Sequence, residues 1–196
     1  KATPQQCVND AKSAIRWTRK NAKRLGIDPQ KIIAAGGSAG GHVAAATGVV
    51  PGFDEKGEDL TISSVPNAMA LYNPAVMLAP LGERDLLGPE KTASIAERCG
   101  GNPDAISPIH HVRKGLPPTI IFHGTADEAV PYPTVVYFSK LMNEAGNRCE
   151  LNSFKDQPHG FFNSGRKIDK GTALYVETAR RLDAFLVSLG YVKAKK

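Results

Sequence analysis

The chain has 196 residues, 41% hydrophobic and 22% charged, which fits one ordinary globular domain, and no stretch reaches the roughly 18 consecutive apolar residues that a membrane helix needs. Cys7, Cys99 and Cys149 lie far apart without C-x-x-C spacing, which argues against a disulfide framework and a zinc site. The net charge of +6 is unevenly placed: residues 1–26 hold seven Lys or Arg against Asp10, and the tail adds Lys193, Lys195 and Lys196, so the basic character reads as a solvated helix face and a frayed end rather than a nucleic-acid surface.

Thr3-Pro4-Gln5-Gln6 predicts a helix start, with Thr3 as N-cap, Pro4 in the first turn and Gln6 closing a capping box. Val8, Ala11, Ile15, Thr18, Ala22 and Leu25 recur at steps of three and four and form its inward face, and Gly26 ends it. Asp28-Pro29 makes a turn. Residues 31–36 read as a short buried strand, followed by a small-residue helix over about 38–48 and a polar loop over 51–64. A second strand over 68–72 stops at Asn73-Pro74. Residues 75–117 form a long irregular connection with a helix near 90–99. Pro117-Pro118 introduces the clearest strand, 119–122, which is followed by a helix over about 132–145 capped by Gly146. Residues 149–154 are a fourth strand. Residues 172–189 are an amphipathic closing helix with Val176, Leu182, Phe185, Leu186 and Leu189 facing inward. Strands alternate with helices, so the expected fold is α/β, with about four parallel strands covered by helices on both faces. No repeat or linker divides the chain, and residues 1–196 are expected to form a single domain.

Gly36-Gly37-Ser38-Ala39-Gly40 matches G-x-S-x-G and stands between a predicted strand and a predicted helix, the context that gives the pattern meaning. Such a turn holds the serine in a strained backbone conformation. The small residues Gly36, Ala39, Gly40 and Gly41 let strand and helix come close, and the helix N-terminus brings backbone N–H groups and positive dipole near Ser38. A phosphate-binding turn is the alternative, but the Lys of a P-loop and the third glycine of G-x-G-x-x-G are absent.

A serine hydroxyl is a poor nucleophile until a base takes its proton, and that base needs an acceptor to hold it. Asp127, in His123-Gly124-Thr125-Ala126-Asp127, follows the clearest strand at its carboxyl end, where open α/β sheets build their sites. Glu128 is the competing carboxylate. Among the five histidines, His159 in Gln157-Pro158-His159-Gly160-Phe161 alone follows both the last strand and the acid, giving the order Ser38, Asp127, His159. His123 is expected to be a structural hydrogen-bonder at the strand end and His42 to pack one turn beyond Ser38. His110 and His111 lie in the long connection without metal-ligand spacing, so no metal is expected.

These segments resemble the α/β-hydrolase-fold serine esterases of the acetyl-esterase, hormone-sensitive-lipase-like and acetyl-xylan-esterase-like branches. Residues 32–46, with Gly-Gly-Ser-Ala-Gly-Gly-His, look like that family's nucleophile elbow. Residues 117–127 with Val130-Pro131 look like its acid segment, and Pro158-His159-Gly160-Phe161 looks like its histidine segment. The resemblance implies Ser38 as nucleophile, Asp127 as the orienting acid, His159 as general base and then acid, and the N–H of Ala39 as one oxyanion donor. It implies cleavage of small, acetyl-type carboxylic esters through an acyl-enzyme, without a cofactor.

The resembled family has several strands before the elbow, about eight in all, and a His-Gly-Gly-Gly-type oxyanion loop among the early ones. This chain is therefore expected to be the C-terminal half of the fold, with the second oxyanion donor outside these residues. Its first strand becomes an exposed apolar edge open to association. Two alternatives stay open: a prolyl-oligopeptidase-type serine peptidase and a non-catalytic binding protein on a hydrolase fold. A small ester is the expected partner, with no nucleic acid and no membrane span, and the compartment is left open.

Overall fold

A computed structural model describes residues 2–164 and 171–194. The elements in chain order are α1 (Pro4–Lys20), α2 (Ala22–Leu25), β1 (Ile33–Gly37), α3 (Ala39–Val49), β2 (Ala68–Tyr72), α4 (Pro89–Arg98), two 3-10 turns (Asp104–Ile106 and Pro108–His111), β3 (Thr119–Gly124), α5 (Tyr132–Glu144), β4 (Cys149–Phe154) and α6 (Gly171–Ser188).

The four strands run parallel in the order β1-β2-β3-β4, with Leu71 beside Gly36 and Ile121, and Ile121 beside Leu151. Alternate side chains serve opposite faces, as the pleat requires. Met69, Leu71 and Ile121 pack with Ala45 and Val49 of α3 and Val135, Phe138 and Met142 of α5. Ala68, Ala70, Ile120 and Phe122 pack with Phe185, Leu182 and Leu186 of α6. β3 has neighbours on both edges and helices over both faces, so all six of its residues are buried. This is the α/β-hydrolase fold. β1 has a pairing partner on one side only among the described residues, and Ala35 and Gly37 are exposed there. No helix among the described residues is long and apolar enough to cross a membrane.

The capping box forms as expected: the Gln6 N–H donates to Thr3 Oγ1 at 3.2 Å and the Thr3 N–H to Gln6 Oε1 at 2.8 Å. The first helix breaks at Asn21, and Gly26 caps the short α2 in a left-handed conformation, leaving Leu25 41% exposed. Val8 and Ile15 face inward as expected, packing α1 behind α3. Val176 was expected to face inward and is instead 56% exposed. The inward face of α6 is carried by Leu174, Leu182, Phe185 and Leu186, with Leu189 just past its end.

Lys20, Lys23 and Arg24 are exposed as expected, but three cations of the basic face of α1 are not solvated. Lys12 is buried, and its ammonium donates to the carbonyls of Val50 at 2.6 Å and Gly52 at 2.5 Å. Burial pushes its pKa below the usual lysine value. Arg16 is buried as well, reaching the Ile62 carbonyl at 2.8 Å, Asp54 at 2.6 Å and Glu58. Arg19 holds the carbonyls of Pro29, Ser63 and Val65 and the side chain of Asn67. The polar loop after α3 returns across α1, and these three cations, one helical turn apart, satisfy its carbonyls and carboxylates.

Candidate active site

Ser38 occupies the single residue between β1 and α3, with φ 56° and ψ −121°. Positive φ is costly for a residue with a Cβ, and here the surrounding contacts hold it. Its N–H donates to the Tyr72 carbonyl at 2.9 Å, and its own carbonyl accepts from the N–H groups of His42 at 3.0 Å and Ala75 at 3.4 Å. The close approach of strand and helix depends on two glycines in particular. A Cβ on Gly36 would overlap the Gly40 carbonyl, and one on Gly41 would sit 2.9 Å from Pro74. Gly40 itself has open space on its side-chain position. As the start of α3, Ala39 offers an N–H with no intrahelical acceptor.

Asp127 follows β3 and is buried. Its Oδ1 accepts from the N–H groups of Ala129 at 3.0 Å and Val130 at 2.9 Å, an arrangement that fixes the carboxylate plane. Its Oδ2 lies 2.8 Å from His159 Nδ1. The competing Glu128 is exposed, and its carbonyl accepts from Lys91 at 2.5 Å. The acid and histidine loops pack directly on one another: the Ala126 N–H donates to the Gln157 carbonyl at 3.1 Å, and a Cβ on Gly124 would collide with that carbonyl.

His159 reaches from the loop after β4, with Nε2 3.0 Å from Ser38 Oγ and a side chain 30% exposed. Because Nδ1 faces a carboxylate, the network assigns the proton to Nδ1 and leaves Nε2 to accept from the serine hydroxyl. The three residues that the sequence singles out, drawn from 38, 127 and 159, therefore meet in one hydrogen-bonded chain. Phe161 anchors the loop beneath, fully buried with its ring 4.5 Å from that of Phe154. Sequence reasoning gave Phe161 no role, although a large aromatic two residues beyond a loop histidine is a recognisable anchor.

The other histidines tie backbone together. His123 belongs to β3, fully buried, and its Nε2–H donates to the Val130 carbonyl at 3.0 Å while lying 3.3 Å from Asp127 Oδ2. Desolvation pushes its pKa down, which keeps the ring neutral beside the acid. His42 donates to the Ile106 carbonyl at 2.8 Å, and burial pushes its pKa down too. His110 bridges Ser107 and the Pro80 carbonyl, each at 3.0 Å, and His111 donates to the carbonyls of Asp104 and Ala105. An open cleft of about 570 Å³ runs along β1 between Gly37, Tyr72, Phe162 and the α6 residues Tyr175 and Leu182. None of the three linked residues lines it.

A parallel sheet, a serine at a strained strand-to-helix turn, and an acid and a histidine on later loops are the arrangement of the α/β-hydrolase fold. The chain belongs to the BD-FAE family, whose model matches residues 1–142, and the model of the dienelactone hydrolase family matches residues 100–188. It is similar to esterase LipQ of Mycobacterium tuberculosis, with 31% identity over 155 residues that make up 71% of this chain and 34% of that protein. Carboxylesterase NlhH of the same species is 30% identical over 170 residues, 80% of this chain and 51% of that protein. The chain thus spans about a third to a half of the length of these curated relatives. Among solved structures, Thermogutta terrifontis esterase 2 phosphonylated by sarin superposes with a TM-score of 0.93 at 49% identity, covering 99% of this chain and 70% of that one. The propionate-bound form of the same esterase gives a TM-score of 0.89 at 50% identity, covering 100% of this chain and 69% of that one.

Proposed function

We propose that this chain carries the catalytic residues of a serine carboxylic-ester hydrolase acting on small acyl esters. The observation that carries the reading is the continuous proton path from Ser38 Oγ to His159 Nε2 at 3.0 Å and from His159 Nδ1 to Asp127 Oδ2 at 2.8 Å. Ser38 Oγ attacks the ester carbonyl carbon while His159 Nε2 takes its proton, and the Asp127 carboxylate stabilises the resulting imidazolium. The carbonyl oxygen becomes an oxyanion beside the Ala39 N–H, an interaction of the kind worth about 3–4 kcal/mol in the transition state. As the tetrahedral intermediate collapses, the imidazolium protonates the leaving alkoxide, and an acyl-Ser38 ester remains. Water, deprotonated by His159, then releases the carboxylic acid. His159 serves as base and acid in turn, and no further group is needed to balance either half-reaction.

The preference for short acyl groups draws on the propionate- and butyrate-bound forms of the Thermogutta terrifontis esterase. Residues 1–196 act in this reading as one domain, since a single sheet carries all three side chains. The open edge of β1 is where that sheet would continue, through a strand from elsewhere in the protein or from a second copy. The test is a comparison of kcat/KM for p-nitrophenyl acetate, butyrate and decanoate and for a prolyl p-nitroanilide, with Ser38→Ala as control. The acetate and butyrate esters are expected to be cleaved at least tenfold faster than the others. Cleavage of the anilide in preference to the acetate, or full activity in Ser38→Ala, would overturn the proposal.

A further inference from the structure

The residues that hold the triad together converge on one short segment, 72–75, at the end of β2. The Tyr72 carbonyl accepts from the Ser38 N–H at 2.9 Å, and the Ala75 N–H donates to the Ser38 carbonyl at 3.4 Å. Pro74 packs against Gly41 at the start of α3. The Asn73 N–H donates to the Phe122 carbonyl at 2.7 Å, next to His123 on the acid strand. Its side-chain Oδ1 accepts from the Gly160 N–H at 3.0 Å, one residue beyond His159. The segment 72–75 therefore touches all three segments that supply the linked side chains, and Asn73 itself bonds to the acid strand and the histidine loop.

Asn73 is itself unusual. It is 1% exposed and has φ 35°, in the left-handed region. Asn tolerates that region better than most residues, but glycine would enter it without strain, so the backbone alone does not call for a side chain. Apolar packing does not call for this one either, because Nδ2 is buried with no hydrogen-bond partner among the described residues. What the side chain supplies is an acceptor for the buried Gly160 N–H. Pro158 has no N–H to give on the other side of His159, and the loop is held there by the bond from Ala126 to the Gln157 carbonyl. His159 thus sits between two anchors, one to the acid loop and one to Asn73.

We propose that Asn73 is a positioning residue that sets the distance of His159 from Ser38 by holding the Gly160 N–H. The proposal rests on the triad reading above, and it concerns geometry rather than contact with substrate. Strained, buried residues of this kind concentrate at functional sites, and a small displacement of a catalytic group costs up to about a hundredfold in rate.

The test compares Asn73→Gly and Asn73→Asp in the intact protein. Asn73→Gly keeps the backbone conformation and removes the acceptor. Its kcat for p-nitrophenyl acetate is expected to fall at least tenfold with KM within threefold of wild type, and the Gly160 amide is expected to exchange at least tenfold faster. Asn73→Asp keeps an oxygen for the Gly160 N–H and is expected to recover most of the lost kcat and the slow exchange. Wild-type kcat in Asn73→Gly overturns the proposal, and so does a fall in kcat with Gly160 exchange unchanged. The exchange measurement stands apart from catalysis. If the wild-type protein cleaves no ester, the functional reading fails, while faster Gly160 exchange in Asn73→Gly still sustains the positioning role and unchanged exchange still removes it.

Discussion

Replacing Asp127 by Asn keeps the shape of the side chain, removes its charge and converts one acceptor into a donor. The Ala129 and Val130 N–H groups, at 3.0 and 2.9 Å, decide which way the amide lies. Turning its NH₂ toward them leaves both donors unpaired, at a cost of about 1–3 kcal/mol each, so the amide oxygen takes the Oδ1 place. The NH₂ then faces His159 Nδ1 across the 2.8 Å contact. Two donors cannot share that contact, so the ring shifts its proton to Nε2, which faces Ser38 Oγ at 3.0 Å. An Nε2 that already carries a proton cannot take one from the serine. The imidazolium of the transition state also loses its carboxylate. A tautomer error of this kind costs about 10⁴ in kcat, or about 5.5 kcal/mol. The assay is steady-state hydrolysis of p-nitrophenyl acetate, with a thermal melt to confirm that the variant is folded. A folded Asp127→Asn variant that keeps more than a tenth of the wild-type kcat would refute the reasoning.

Gly36→Ala drives a methyl into the Gly40 backbone and is expected to cost about 3 kcal/mol or more, whereas Gly40→Ala has open space and should leave the melting temperature unchanged or raised; equal melting temperatures for the two would contradict the packing at the elbow. Arg16→Met leaves the partly exposed carboxylates of Asp54 and Glu58 without their guanidinium and should lower stability in urea by about 3 kcal/mol, against less than 0.5 kcal/mol for a solvated helix face. His42 is held below its ordinary pKa of 6.5, so below that pH the unfolded chain binds more protons than the folded one. Its contribution to stability is complete above pH 6.5 and is lost as the pH falls through the folded value. His42→Gln, which keeps a donor for the Ile106 carbonyl, should flatten the fall in stability as the pH drops below 6.5, and an unchanged slope would contradict the assignment.

The meeting of Ser38, Asp127 and His159 in one hydrogen-bonded chain was legible because each couples local chemistry to an ordered position: a serine between strand and helix, an acid after a strand, and a histidine after the next strand. Strand and helix limits also came through wherever Pro or Gly marks them, as at Thr3-Pro4 and Pro117-Pro118. Contacts between segments far apart in the chain were not legible. Lys12 and Arg16 look like solvated cations until the loop after α3 folds back over them, and nothing in the helical pattern reports that return. Asn73 reads as a strand stop because its partner, the Gly160 N–H, lies 87 residues away. Gly40 and Gly41 look equivalent in the motif, yet only Gly41 meets Pro74. His123 and His159 carry the same side chain, and their places differ: one lies buried in β3 and tethers the Val130 carbonyl, while the other faces the serine from the loop after β4.

The central claim is that one hydroxyl among all the serines of this chain is activated. Incubation with a fluorophosphonate followed by peptide mass mapping tests it most directly. The expected result is a single adduct on Ser38 that disappears in Ser38→Ala and forms at least a hundredfold more slowly in His159→Ala. Labelling at another residue, or undiminished labelling in Ser38→Ala, contradicts the account.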